Sequence, residues 1–287
     1  AQEELLGDGD PRISGVFSPT GTAVATDGGL VVNGRWGYNT GGFGSKWTVL
    51  NAMSDGGAGV PTCAIVRSDE LRSLDDWNAS GMAATGSSTV IADNIFVPAH
   101  RALPLPAMLE GRYPQRANGS NPYFNYPLAP VLTVNAAGMP IGTARGALEL
   151  FQERLPGRQI TYTDYTNQAA APVTHLQLGE AALTIDSADA HTRRACAILD
   201  EPRDQPFTTL ERVRARAHGA YATGLARKAV DILFFASGAS AIQSNVPIQR
   251  FQRDIQALAN HAIMHAETGV ELYGRVLCGL PPNSILI

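Results

Sequence analysis

Two hydrophobic rhythms, kept in separate blocks, constrain this chain most. Up to about residue 100, apolar residues come in short β-branched runs: Val16-Phe17, Ala23-Val24-Ala25, Leu30-Val31-Val32, Trp47-Thr-Val-Leu-Asn, Thr62-Cys-Ala-Ile-Val and Ser88-Thr-Val-Ile-Ala. Gly, Pro, Asn and Asp cut these runs apart, the pattern of successive strands in a small sandwich or barrel. Asp27-Gly28-Gly29 marks a hairpin turn between two of them. From residue 131 the rhythm becomes helical and Ala-rich, over residues 132–155, 173–199, 208–237 and 250–265. Four such stretches with short connections predict an antiparallel four-helix bundle. The fold class is therefore α+β. A β domain is expected over 1–105, a connector over 106–130, and the bundle with its tail over 131–287.

Charge and cysteine usage remove several function classes. The net charge of −4, with no basic tract, disfavours a nucleic-acid partner. No apolar run approaches the ~20 residues needed to span a bilayer, and the acidic first residues lack a signal peptide's pattern. Cys63, Cys196 and Cys278 are odd in number and far apart. That spacing argues for reduced thiols in a cytoplasm and against a disulfide framework or a cysteine metal site.

Two stretches carry chemistry. In the last helix, Asp254, Leu258, His261 and His265 would share one face, with Arg250 four residues before Asp254. A packed bundle edge explains this as readily as a site. The His pair at i,i+4 could hold zinc, but no Glu lies between them and no third ligand suggests itself, so no metal is expected. The other stretch is Gly34-Arg-Trp-Gly-Tyr-Asn-Thr-Gly-Gly-Phe-Gly-Ser-Lys-Trp. It has neither the dinucleotide-binding glycine order nor a phosphate-loop ending. Its glycines around Tyr38, Asn39 and Thr40 would let backbone approach a planar ligand, with Trp36 or Trp47 stacking or packing beside it. A β-turn over a buried Trp fits equally. Tyr123-Phe124-Asn125-Tyr126 gathers aromatic rings in the connector, either as junction packing or as a wall around a flat ligand.

Three ordered segments together resemble the acyl-CoA dehydrogenase superfamily. They are Gly28-Gly-Leu-Val-Val-Asn-Gly-Arg-Trp-Gly-Tyr-Asn-Thr-Gly, the stretch from Trp77 through Gly81-Met-Ala-Ala-Thr-Gly-Ser-Ser to Pro98, and Pro247-Ile-Gln-Arg-Phe-Gln-Arg-Asp with His261 seven residues beyond Asp254. The chain is most similar to the superfamily's two-component flavin-dependent monooxygenase branch. The resemblance covers nearly the whole chain, but the family's N-terminal helical domain has no counterpart, and residues 1–10 are expected to be its remnant.

The resemblance implies an oxygenase component that takes reduced FMN or FAD from a separate NAD(P)H:flavin reductase. It would use O2 through a flavin C4a-hydroperoxide to hydroxylate an aromatic or phenolic substrate, and would assemble as a homotetramer. N-oxidation of an amine or amino sugar shares this chemistry. Acyl-CoA oxidation is disfavoured because Asn260-His261-Ala262 lacks the usual Glu; a truncated, non-enzymatic binding homologue is the remaining alternative. By the same resemblance, Thr40 would hydrogen-bond flavin N5, flanked by Tyr38, Asn39 and Gly41. Ser87 and Ser88 could reach the cofactor, and Arg158 with Pro172 and Gln177 would meet its phosphates across a subunit interface, although His175 stands where relatives have Gln. Tyr123 and Phe124 would wall the substrate. His261, with an imidazole's near-neutral pKa, would act as general base on the substrate hydroxyl, and Asp254 would orient.

Overall fold

A computed structural model describes residues 1–7, 9–57, 59–110, 112, 126–202 and 205–287. It divides into two compact units: Ala1–Ala79 with Ala83–Ala117, and Ser80–Met82 with Asn118–Ile287.

The first unit opens with a short helix α1 (Gln2–Leu6) and then forms seven strands: β1 (Ile13–Thr26), β2 (Gly29–Trp36), β3 (Trp47–Met53), β4 (Pro61–Arg67), β5 (Arg72–Ser73), β6 (Val90–Pro98) and β7 (Ala102–Pro104), before α2 (Leu105–Leu109). They make one sheet in the order β5-β6-β2-β1-β3-β4-β7. Every pairing is antiparallel except β1 with β3. The expected hairpin forms at Asp27-Gly28, where Thr26 faces Gly29. The runs at Val16 and Ala23 belong to a single long strand, whose pairing shifts between Val16 and Gly21. Val32, Trp36, Leu50, Val66, Val90 and Val97 share one core, so strands from both halves of the sheet curl over the same apolar interior. Trp36 is completely buried there and donates from its indole nitrogen to the Asn51 carbonyl at 2.6 Å. Trp47 is also buried, under the guanidinium of Arg101 at 4.8 Å. Both tryptophans therefore pack the fold and do not offer a free stacking face. Glu4 of α1 pairs with Arg101 and His100, and these contacts hold its carboxyl down at about 2.

The second unit contains α3 (Leu128–Arg154), α4 (Pro172–Asp200), α5 (Thr209–Ala236), α6 (Ile248–Ala259) and α7 (Ala266–Leu277). Pro172 occupies the first turn of α4, where its missing N–H costs nothing. Thr208 and Glu211 close a reciprocal capping box at the start of α5. Helix α3 runs unbroken through Pro140. Helix α5 packs against each of the other four. The shared core is built on small residues, with Ala144, Ala147, Ala181, Ala226 and Ala229 fully buried beside Phe151, Leu233, Ile248 and Ile255, so the helix backbones can approach closely.

The fourth expected helix is corrected. Residues 250–265 are not one helix: α6 stops at Ala259, residues 260–265 form a turn, and α7 begins at Ala266. Burial explains the break. Continued at ~100° per residue, a straight helix would carry Met264 to about 180° from Ile255, on the side away from the core. The turn brings Met264 back to near-complete burial. Pro247 does sit immediately before the helix, as expected.

Candidate active site

In the β unit the glycine-flanked segment forms a loop stitched to the one preceding β6. Tyr38 adopts φ 63° and Gly41 φ 75°, left-handed positions that an ordinary residue holds only when its surroundings compel it. The Tyr38 ring rests edge-on against Trp77, with centroids 5.9 Å apart. Asn39 N–H donates to the Ser88 carbonyl at 3.3 Å, and Gly41 N–H to the Thr85 carbonyl at 3.2 Å. The Thr40 hydroxyl meets that of Ser87 at 2.8 Å, and Ser87 in turn meets Thr85 at 2.8 Å. Tyr38, Asn39, Thr40, Gly41 and Ser87, all singled out from the sequence, thus come together, with Thr85 as a member the sequence did not single out. Thr40 is solvent-open, whereas Asn39 is only 2 % exposed. Asn39 Oδ1 and the buried hydroxyl of Ser88 have no hydrogen-bond partner among the described residues. Unpaired buried polar atoms beside a ring of hydroxyls suit a ligand with both donors and acceptors on its edge, as an isoalloxazine has.

In the helical unit, His261 lies in the turn after α6 and not on the helix face. Its N–H donates to Leu258 O at 3.1 Å, its carbonyl accepts from Met264 N–H at 2.8 Å, and Nδ1 takes a long contact from Ile263 N–H at 3.4 Å. Its side chain is exposed, yet the protein packed around the ring pushes its pKa below the ordinary imidazole value, because that packing disfavours the charged form. His265 is the N-cap residue of α7 and faces Glu267 at 3.3 Å. The shared face of Asp254, His261 and His265, and the i,i+4 zinc spacing, are therefore not formed.

Asp254 does not pair with Arg250 among the described residues. Its Oδ1 accepts the backbone N–H of Met82 at 2.5 Å, across 172 positions of sequence. The neighbouring Arg253 guanidinium donates to the Ser80 carbonyl. Between these two bonds, a side chain on Gly81 would stand 2.1 Å from the Arg253 carbonyl. The Arg253-Asp254 pair thus grips Ser80-Gly81-Met82, and two of the three sequence segments meet here. Only glycine lets the backbones close.

Arg158 donates from Nε to Gln168 at 3.2 Å and from Nη2 to the Ser237 carbonyl at 2.9 Å. Arg154, one turn earlier, reaches Ser240 at 3.2 Å and has a buried Nη1 without a partner among the described residues. Burial, and then the charge of Arg158, lower its pKa. No ion pair reaches either guanidinium among the described residues, and two cations left uncompensated together suit a phosphate. Gln177 lies on α4 and makes no hydrogen bond with Arg158; Gln168 takes that place. His175 bonds the Ala169 carbonyl at 2.8 Å. Arg154 and Gln168 were not foreseen, since an arginine at a helix end and a glutamine in a connector carry no distinctive pattern. Tyr123 and Phe124 lie outside the described residues.

Comparison with known proteins identifies the family. Residues 134–266 match the family model "Acyl-CoA dehydrogenase, C-terminal domain". The flavin-dependent monooxygenase oxygenase subunit HsaA of Rhodococcus jostii (strain RHA1) is 31 % identical over 295 residues, covering 100 % of this chain and 76 % of that one. The chain belongs to the flavin-dependent monooxygenases built on the acyl-CoA dehydrogenase fold. The oxygenase component of an FADH2-dependent resorcinol hydroxylase from Rhizobium sp. (strain MTP-10005) is 27 % identical, over 96 % of this chain and 70 % of its own. The solved structure of XiaF from Streptomyces sp., in complex with FADH2 and glycerol, superposes with a TM-score of 0.90 at 32 % identity, covering 98 % of this chain and 72 % of that one. This oxygenase is accordingly an enzyme that uses reduced flavin, FMN or FAD, with O2. Each within its own unit, the hydroxyls at Thr40, Thr85 and Ser87 have the donors and acceptors that a flavin ring edge needs, and Arg154 with Arg158 has the charge that a phosphate needs. No helix of the described residues is long and apolar enough to cross a membrane.

Proposed function

We propose that this chain is the oxygenase component of a two-component system that hydroxylates an aromatic or phenolic substrate. The observation that carries the reading is the Thr40–Ser87–Thr85 hydroxyl cluster beside the unpaired Asn39 Oδ1 and Ser88 hydroxyl. Reduced flavin, when bound, would supply the electrons that activate O2, and O2 supplies the oxygen atom transferred. The chain's own residues do the rest. The Ser87 hydroxyl fixes the direction of Thr40 Oγ1, leaving that atom able to engage N5 of the flavin and hold its proton there. The glycines around it let the backbone lie close to the ring plane.

His261 is proposed to manage the substrate's hydroxyl proton. Its lowered pKa keeps the ring neutral near pH 7, so it is ready to accept. Accepting at Nδ1 displaces only the long contact from Ile263. Arg158, with Arg154 beside it, would meet flavin phosphate, and Gln177 is a weaker candidate for the same end. Tyr123 and Phe124 remain the proposed substrate wall.

The relatives named as oxygenase subunit or component support a separate NAD(P)H:flavin reductase as electron donor. A homotetramer in the cytoplasm, and a division into a flavin-binding β domain over 1–105, a connector over 106–130 and a bundle over 131–287, complete the proposal. The test is anaerobic titration with reduced FMN and reduced FAD, followed by turnover of phenolic substrates under labelled O2. Thr40→Val is expected to divert most of the oxidised flavin to hydrogen peroxide at the expense of labelled product. Unlabelled product, or full coupling in that variant, would overturn the reading.

A further inference from the structure

Beneath the C-terminal tail of the helical unit lies a cavity of about 400 Å³, lined by Arg216, Asn260, Ala262, His265, Leu272 and Ser284 among others. Both residues flanking His261 belong to its wall. Arg216, on α5, is only 5 % exposed. One of its terminal nitrogens, Nη1, donates to the Ser284 hydroxyl at 3.0 Å and to the Leu286 carbonyl. Its Nε is buried without a partner, Nη2 makes no hydrogen bond, and no ion pair reaches the guanidinium among the described residues. One acid, Glu271, lies on the cavity wall itself, where one of its carboxylate oxygens, Oε2, accepts from Asn283 at 2.8 Å, and Glu267, off the wall, faces His265; neither pairs with Arg216.

The unused atoms are the ones that matter chemically. Nε and Nη2 form the parallel N–H fork that grips both oxygens of a carboxylate. Nη1, the nitrogen that cannot take part in that fork, is the one already tied to the tail. A cation held this deep is costly unless something negative meets it. The cavity's remaining walls, with Leu272 and Ala262 apolar and Asn260 and Ser284 polar, suit a small aromatic body ending in an acid. Burial also lowers the pKa of Arg216, as expected of a charge without a counter-ion.

We propose that this cavity is an anion subsite in which the Nε/Nη2 edge of Arg216 takes the carboxylate of an aromatic acid, making Arg216 a specificity-determining residue. This rests on the hydroxylase reading only in placing the acid on the substrate; the subsite itself is testable without flavin. Calorimetric titration of the full chain, with no flavin present, compares phenylacetate with the near-isosteric, uncharged phenylacetamide. The acid is expected to bind at least about tenfold more tightly, as a charge-assisted fork requires. Arg216→Met should erase the difference, and Arg216→Lys should restore only part of it. Because a buried arginine can be needed for folding, the exposed cavity residue Thr268 provides an independent variant. Thr268→Glu should weaken the acid about tenfold while leaving the amide unchanged.

Equal affinity for acid and amide in the unaltered chain, or a preference that survives Arg216→Met, overturns the proposal. Acid preference without flavin-dependent hydroxylation would defeat the functional reading while leaving the subsite standing.

Discussion

Removing the Asp254 carboxylate tests the grip on Ser80–Met82 most directly. Its Oδ1 accepts the Met82 N–H at 2.5 Å in a partly buried setting. A hydrogen bond to a charged group is worth about 1.5–3 kcal/mol net. Met82 also stands at φ 56°, a left-handed conformation costing roughly 1 kcal/mol that this bond helps to hold. Asp254→Ala should therefore weaken the local structure by about 2–3 kcal/mol. In native-state hydrogen exchange, that becomes a loss of protection at the Met82 amide of roughly 30- to 150-fold. Asp254→Asn keeps an acceptor oxygen in place, and its loss should be nearer 1 kcal/mol. Arg250→Ala should leave this amide unchanged, because Arg250 is not Asp254's partner. Unaltered exchange at Met82 in Asp254→Ala would refute the reasoning. So would an Asn variant as damaged as the Ala variant.

Two further outcomes follow from the same structure. His218 donates to or accepts from His191 through Nδ1 at 2.8 Å, and burial, then the charges of His191, Arg214 and Arg194, push its pKa down to about 4. The folded state therefore resists a proton that the unfolded chain takes near 6.5, so stability is full above that pH and is lost as pH falls toward 4. With the ring partly buried, the loss is of order 1 kcal/mol after allowing for screening; the melting-temperature advantage over His218→Gln should shrink between pH 7 and pH 5, and a constant difference would contradict this. Trp36→Phe keeps most of the apolar bulk but strands the buried Asn51 carbonyl, and should cost about 1–3 kcal/mol in urea unfolding; a loss below about 0.5 kcal/mol would show that the carbonyl finds another donor.

Much of this was legible in the sequence because it depends on local rules. The Asp27-Gly28 hairpin and the helical stretches over 173–199 and 208–237 each follow from residues a few positions apart, and the structure adds the Pro172 start and the Thr208 capping box that begin those two helices. The hydroxyl loop was legible in part: the glycines mark where Tyr38 to Gly41 turn, but nothing in sequence order says that Thr85 and Ser87 lie beside Thr40. The error at residues 250–265 has the same origin. Helical propensity runs unbroken through Asn260 and His261, and only the burial of Met264, a tertiary fact, ends the helix. Asp254 was assigned Arg250, four residues before it, because i,i+4 pairs can be read from spacing, whereas a backbone N–H lying 172 positions away cannot. Arg216 was invisible for a related reason, since a surface arginine on a helix and a buried one look alike until the tail that covers it is placed.

The grip of Arg253 and Asp254 on Ser80–Met82 also has a kinetic consequence. As the chain leaves the ribosome, the strands from Ile13 to Pro104 can pair with one another while most of the helices are still unmade. The short stretch at Ser80–Met82 cannot settle then, because its partners arrive some 170 residues later. That one closure carries a large loop entropy, so it belongs among the late and slow events of folding. Until it forms, the growing chain carries an interrupted β unit with three residues waiting for the far end of the polypeptide.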